Sequence, residues 1–298
     1  MDLNKNDNLT GILLMVGSMA GFAIEDMFTK WLTGALPTGE VLFLFGLLGT
    51  PVFALMARMQ GERTFSRAAL SAPLLWRNGG EMAGTLGFII AISLIPLAMV
   101  GSILQAMPLV VTAGAALFMG EKVGWRRWTA IGLGFAGVLL ILRPGLEGFR
   151  PEALWAVLAV LGLSVRDLAT RRVAADISSM QVGALGFLAV TLLGALMMLV
   201  TGGALWPAPL HCVWLTLSLV FGISSYWAIT AAMRLGDMSV ITPFRYTRLL
   251  FVLIIAAVAF GERPDAPTLW GAALVIGSGL YTLARERARQ RALSLARA

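Results

Sequence analysis

Apolar residues run along this chain in ten blocks of about twenty, at 11–36, 38–57, 72–93, 97–119, 125–142, 153–172, 180–201, 210–233, 239–260 and 267–283. About twenty residues is the length an α-helix needs to cross a hydrocarbon layer roughly 30 Å thick. Pro37, Pro96, Pro144, Pro151, Pro207, Pro209, Pro264 and Pro267 fall at or near block ends, where a missing backbone N–H costs least. The pattern predicts an all-α polytopic membrane protein of ten transmembrane helices, with short connections that make consecutive helices antiparallel. Before the first block, Lys5 stands with Asp2 and Asp7, and no small-residue cleavage site follows a short apolar stretch, so that block is expected to be a retained helix.

Composition agrees with this pattern. Of 298 residues, 58% are apolar and 13% charged, against about 45–50% and 25% in soluble domains. The net charge of +7 raises the possibility of nucleic acid, but the basic residues sit in the short connections, where they act as topology signals rather than as a binding face. With the N-terminus inside, fifteen Lys and Arg fall on inner connections: Lys5, Arg58, Arg63, Arg67, Lys122, Arg126, Arg127, Arg171, Arg172, Arg234 and the tail arginines 285, 287, 289, 291 and 297. Only Lys30, Arg143, Arg150 and Arg263 fall outside, so both termini are expected in the cytoplasm of a bacterial inner-membrane protein. Eight of nine tryptophans lie near block ends, as an interfacial belt would have them, and Trp227 is the exception. One cysteine, Cys212, and one histidine, His211, leave no room for an intrachain disulfide or a histidine-based metal site. No cofactor is expected, and the lack of a Gly-x4-Gly-Lys-Ser/Thr stretch argues against ATP as the energy source.

Blocks four and five recur as blocks nine and ten. Gly120-Glu121-Lys122 aligns with Gly261-Glu262-Arg263, Trp128 with Trp270 after one inserted residue, and Gly137 with Gly279. The period is about half the chain, which divides it into repeats at 1–148 and 149–284 and a basic tail at 285–298. Five helices per half is an odd number, so the second half enters the membrane upside down, an architecture that recurs in secondary transporters. On these Gly-Glu turns, the Trp and the Gly-rich final helices, the chain resembles the drug/metabolite transporter superfamily, in particular its EamA-type members. The resemblance implies a central cavity bounded mainly by helices one, three, four, six, eight and nine, and alternating-access movement of small organic metabolites.

Charges inside apolar blocks are costly, by about 2.5 to 3.5 kcal/mol on insertion scales, so each should face a partner or a wet cavity. Four acids and four bases occur: Glu25 and Asp26 in helix one, Arg77 and Glu81 in helix three, Arg166 and Asp167 in helix six, Arg245 and Arg248 in helix nine. Arg77 and Glu81 are four apart and can meet on one face, as a plain salt bridge or a gate. Arg166 and Asp167 are neighbours that point apart, so each is expected to pair with another helix, or Arg166 to snorkel. Arg245 and Arg248, with Tyr246 between them and Pro243 just before, are expected to line the path, with a carboxylate of helix one as internal partner for which substrate or proton competes. With the Gly-Glu turns aligned, Arg245, Tyr246 and Arg248 replace Leu104, Gln105 and Met107 of the first copy.

Ser224, Ser225, Tyr226 and Trp227 form a polar and aromatic cluster in helix eight, suited to a planar organic ligand or to helix packing. Gln105 is a further substrate-binding candidate. The resemblance favours export of amino acids or related metabolites, driven by protons or exchange. The alternative is uptake of an anionic or heteroaromatic compound of nucleoside, S-adenosylmethionine or riboflavin kind. A membrane-embedded enzyme would need chemistry on connections too short to hold it, and a channel would need a ring of like charges. Small metabolites, membrane lipid at the basic tail and protons are the expected partners, and the oligomeric state is not readable.

Overall fold

The computed structural model describes residues 5–62, 71–121, 123–174, 177–202, 206–235 and 238–295. Of the topology-setting residues, Arg63, Arg67, Lys122 and Arg297 lie outside them. Among the described residues the chain is helical throughout: α1 (Lys5–Ala35), α2 (Thr38–Met59), α3 (Ala72–Leu94), α4 (Leu97–Leu104), α5 (Met107–Phe118), α6 (Trp125–Leu142), α7 (Leu154–Thr170), α8 (Ser179–Thr201), α9 (Pro209–Leu235), α10 (Met238–Ile241), α11 (Thr247–Phe260) and α12 (Ala266–Leu295). Short 3-10 turns occupy Pro151–Ala153 and Thr242–Tyr246.

Nine spans among the described residues are long and apolar enough to cross a membrane. The tenth is α3, whose 23 residues suffice in length. Arg77, Asn78 and Glu81 lower its apolar character, and one face of it packs closely on α7.

Two spans are broken at equivalent places. The fourth is α4 and α5, parted at Gln105-Ala106, because Pro108 has no N–H to give the carbonyl of Leu104. The ninth is α10, the 3-10 turn holding Pro243, and α11. Gln105-Ala106 and Tyr246-Thr247 stand 141 positions apart, the same interval that separates Glu121 from Glu262. The sequence pattern marks the Pro243 break and gives the fourth span as continuous. The structure corrects that reading. It also runs α12 unbroken to Leu295, so the basic tail is the extension of the tenth helix rather than a separate element.

Packing follows the repeat. The extensive seams join α1 to α9, α3 to α7, α2 to α8 and α6 to α12, with α4 against α11. In span numbers these are 1·8, 3·6, 2·7, 5·10 and 4·9. A two-fold operation that exchanges span n with span n+5 turns 1·8 into 3·6 and leaves the other three unchanged, so the contacts obey the symmetry an inverted repeat requires.

Small residues set the closeness of these seams. A Cβ on Gly80, Gly84 or Gly87 of α3 would run into the backbone of α7 near Arg166, Leu163 and Ala159, and one on Gly162 would strike Gly84. Across α6 and α12, Gly137 and Gly271 each approach the other's carbonyl. Close backbone contact through glycine is the expected way for helices to associate in lipid, where no hydrophobic force separates helix from solvent. Large apolar side chains such as Leu13, Leu133, Leu192 and Val258 are left exposed on the outside, the face offered to lipid.

Candidate functional site

The intramembrane charges gather into two groups at the centre of the helix assembly. In the first, Arg248 at the start of α11 donates through Nη2 to both carboxylate oxygens of Asp26 on α1, at 2.9 and 2.8 Å. Asp26 is 4% exposed, and the Arg248 guanidinium lies 5.4 Å from the Phe22 ring centre. The helix-one to helix-nine pairing expected from the charge balance is therefore formed, with Asp26 as the acid.

Glu25 is different. Its backbone carbonyl accepts from Ser218, which is in turn bonded to Thr29 at 3.0 Å, but among the described residues its carboxylate has no hydrogen bond or ion pair. It rests on Gly222 of α9, where a Cβ would stand 3.0 Å from it. The rest of this seam is held by uncharged groups, with the Ser18 hydroxyl donating to the Ser225 carbonyl at 2.7 Å.

The second group is a network across α3 and α7. Arg77 and Glu81 meet at 2.7 Å along α3, Arg166 reaches Glu81 at 3.4 Å, and Arg166 also binds Asp167 at 2.8 Å. Arg166 thus pairs with another helix as expected. Its bond to its own neighbour corrects the view that adjacent residues cannot satisfy each other: the long arginine side chain folds back, and Nε donates to Asp167 Oδ1 at 2.9 Å. Arg77 also donates to Asn78 at 3.1 Å and presses on Gly186 of α8. Its Nε is buried without a partner.

Arg245 sits between the groups, in the 3-10 turn of the ninth span, half-buried. Among the described residues its guanidinium makes no hydrogen bond and no ion pair, and its charged neighbours are Asp167, Arg166 and Arg248. Arg245, in the 3-10 turn, and Arg248, at the start of α11, stay close enough for their charges to act on each other, and of the two only Arg248 is bonded to Asp26. Arg248 takes Asp26, and Arg245 is left open.

The remaining candidates divide. Gln105 is buried and donates from Nε2 to the Tyr246 carbonyl at 3.3 Å, which ties the break of the fourth span to that of the ninth. Tyr246 turns its buried, unpartnered hydroxyl toward Gly279 of α12, away from the arginines beside it in sequence. In helix eight, Ser225 is buried in the seam with α1, packed on Gly21. Ser224 and Trp227 share the opposite, exposed face of α9 with Val213 and Val220, so the four-residue cluster does not exist as one surface. Tyr226 points toward α2. Its ring meets Phe53 of α2 edge-on at 5.6 Å, and Phe53 stacks on Phe187 of α8 at 5.2 Å. Phe22, Phe53 and Phe187 were absent from the sequence expectations, because an isolated Phe in an apolar block carries no signal.

A two-repeat helical assembly with opposed broken helices and paired charges at its centre is the build of a membrane carrier. The family model for the EamA-like transporter family matches residues 9–143 and again 150–284, and the chain belongs to that family, within the drug/metabolite transporter superfamily. Among its relatives are an S-adenosylmethionine uptake transporter of Rickettsia conorii, 26% identical over 94% of each chain, and a riboflavin transporter of Rhizobium johnstonii, 25% identical over 95% of this chain and 94% of that one. A pseudopaline exporter of Pseudomonas aeruginosa is 25% identical over 93% of this chain and 95% of the other. A solved crystal structure at 22% identity superposes with a TM-score of 0.59 over 90% of this chain and 98% of its own, a likeness of fold alone.

Proposed function

We propose that this chain is an uptake carrier for a small compound that combines a planar heteroaromatic part with charged groups, of the S-adenosylmethionine or riboflavin kind. It would sit in the bacterial inner membrane with both termini in the cytoplasm and work by alternating access. The observation that carries the reading is a pair of ionisable side chains with no ion-pair partner among the described residues, Arg245 and Glu25, in a region where Phe22 lies against Arg248 and Tyr226 against Phe53. A guanidinium with no partner suits a carboxylate, a carboxylate with no partner suits a cationic centre, and aromatic faces suit a flat ring system.

Of the two kinds, the charged pair matches a zwitterionic compound better than a flavin, which would use the aromatic faces alone. A relative named for S-adenosylmethionine uptake and another named as a riboflavin transporter, both similar over most of their length, support uptake of such a compound over the export of amino acids that the family resemblance first suggests. Of the adjacent carboxylates Glu25 and Asp26 only Asp26 is bonded to Arg248, so a proton or the substrate's cation can take the place beside Glu25 that Arg248 does not fill. The purified protein in liposomes is expected to take up labelled S-adenosylmethionine or riboflavin saturably, with counterflow. Failure with both, alongside saturable transport of an amino acid, would replace this reading with the exporter one, which the relative named as an exporter favours.

A further inference from the structure

Two ion pairs lie at opposite ends of the helix assembly, and the repeat relates them residue by residue. At one end Lys30, near the end of α1, meets Glu262 after α11 at 3.1 Å. At the other, Arg171, at the end of α7, meets Glu121 after α5 at 3.0 Å. Lys30 and Arg171 are 141 positions apart, as are Glu121 and Glu262. The turns that present the two acids match as well. Gly120 and Gly261 both take positive φ, 70° and 63°, and the N–H groups of Glu121 and Glu262 bond to the carbonyls of Ala115 and Ala256, again 141 apart. Only glycine adopts that conformation without strain, which gives the Gly-Glu motif its physical reason.

The pairs differ in how firmly they are set. Glu262 also accepts from the backbone N–H groups of Leu97 and Ala98, at 2.8 and 3.0 Å, and so caps the first turn of α4 with a full charge. Lys30 adds a bond to the Ile95 carbonyl at 2.9 Å. The last turns of α1 and two connections, one from each half, are gathered on this pair, whose side chains are 18% and 13% exposed. Arg171 and Glu121 are 49% and 47% exposed, and the neighbouring Arg172 holds the end of α5 through the Phe118 carbonyl at 2.8 Å.

We propose that Lys30–Glu262 and Arg171–Glu121 are a pair of alternating latches, one at each mouth of the central site, and that the structure rests with the Lys30 latch shut and the Arg171 latch ready to part. This rests on the carrier reading. A capped, dry pair opens only when Glu262 releases both the lysine and the α4 helix end, whereas an exposed pair separates into water at little cost. Opening the Lys30 end therefore moves α4 as a unit, and the break at Gln105-Ala106 is where that movement stops.

The test uses a Cys212→Ser, Tyr226→Cys background, because Cys212 is exposed, and a membrane-impermeant maleimide applied to intact cells and to inside-out vesicles. The parent is expected to label faster from the Arg171 side. Lys30→Gln should raise labelling from the Lys30 side severalfold and lower it from the other, Glu262→Ala should do so more strongly, and Lys30→Arg should label as the parent does. Arg171→Gln should shift labelling the opposite way. Shifts in one direction for both pairs, or none, overturn the proposal. Should Lys30→Gln fail to insert, Arg171→Gln decides alone, since its loss leaves no charge buried. The readout needs no substrate, so a failed latch is told apart from a failed carrier reading, which would appear as no saturable uptake by the wild-type protein.

Discussion

The seam between α3 and α7 and the seam between α1 and α9 are the same piece of geometry used twice. Gly162 lies on Gly84 as Gly21 lies on Ser225, each residue 141 positions from its counterpart. Arg166 faces Glu81 in one seam, and its counterpart Glu25 faces Gly222, the counterpart of Glu81, in the other. Asp167 and Asp26 also correspond. One seam is closed by four charges that satisfy one another, and the other is closed by serine and threonine hydroxyls with a carboxylate left over. The duplicated fold supplies positions, and divergence at facing positions, Arg77, Glu81 and Arg166 against Ser218, Gly222 and Glu25, separates a closed charge network from a carboxylate left without a partner.

That contrast can be broken most severely at Arg248. Arg248→Gln leaves Asp26 charged and uncompensated in a site where it is 4% exposed, and loss of one partner from such a pair costs about 3–5 kcal/mol. Transport in liposomes should fall more than tenfold, and Asp26→Asn added to Arg248→Gln should restore thermal stability but not uptake. Next in size is Gly162→Ala, whose Cβ would meet the backbone of Gly84; overpacking of this kind costs roughly 1–3 kcal/mol and should lower the melting temperature in detergent. Gly21→Ala meets only the Ser225 hydroxyl, which can turn, so its loss should be clearly smaller. Equal losses would mean that the two seams are not equivalent.

Glu81→Gln and Glu25→Gln sharpen the comparison further. Glu81 holds two arginines, so its neutralisation should destabilise the protein by about 1–3 kcal/mol. Glu25→Gln should leave the melting temperature unchanged or raise it and alter uptake instead. A loss of stability as large as that of Glu81→Gln would assign Glu25 to structure. The smallest effect is expected at Trp227: Trp227→Leu should change uptake by less than about twofold, because its face of α9 is shared with Val213 and Val220.

The ten blocks and the inverted repeat were readable because the membrane imposes a length on every apolar run and the Gly-Glu turns need glycine. The pairing of a helix-one acid with a helix-nine arginine was readable as well, since a buried charge demands a partner. Which acid, and which arginine stays open, was not. That depends on the helix phase of Glu25 against Asp26 and on which of two arginines three positions apart reaches Asp26, which the apolar pattern does not carry. The cluster in helix eight misled for the same reason: neighbouring residues on a helix face different elements, so Ser225 meets α1, Tyr226 meets α2, and Ser224 and Trp227 face outward. The break at Gln105 carried its signal in Pro108, but a proline two residues into a new helix looks the same in sequence as one inside a continuous helix.

The seams have one more consequence. Every extensive one joins a helix of the first half to a helix of the second, while contacts among helices within a half are sparse. Neither half is thus a folding unit. During synthesis the first five helices must stay in the bilayer as separate, loosely associated rods, with Arg77, Glu81 and Asp26 lacking part of their surroundings, until α7, α9 and α11 emerge. The cell's insertion machinery has to shelter an incomplete protein for the time it takes to translate half of it.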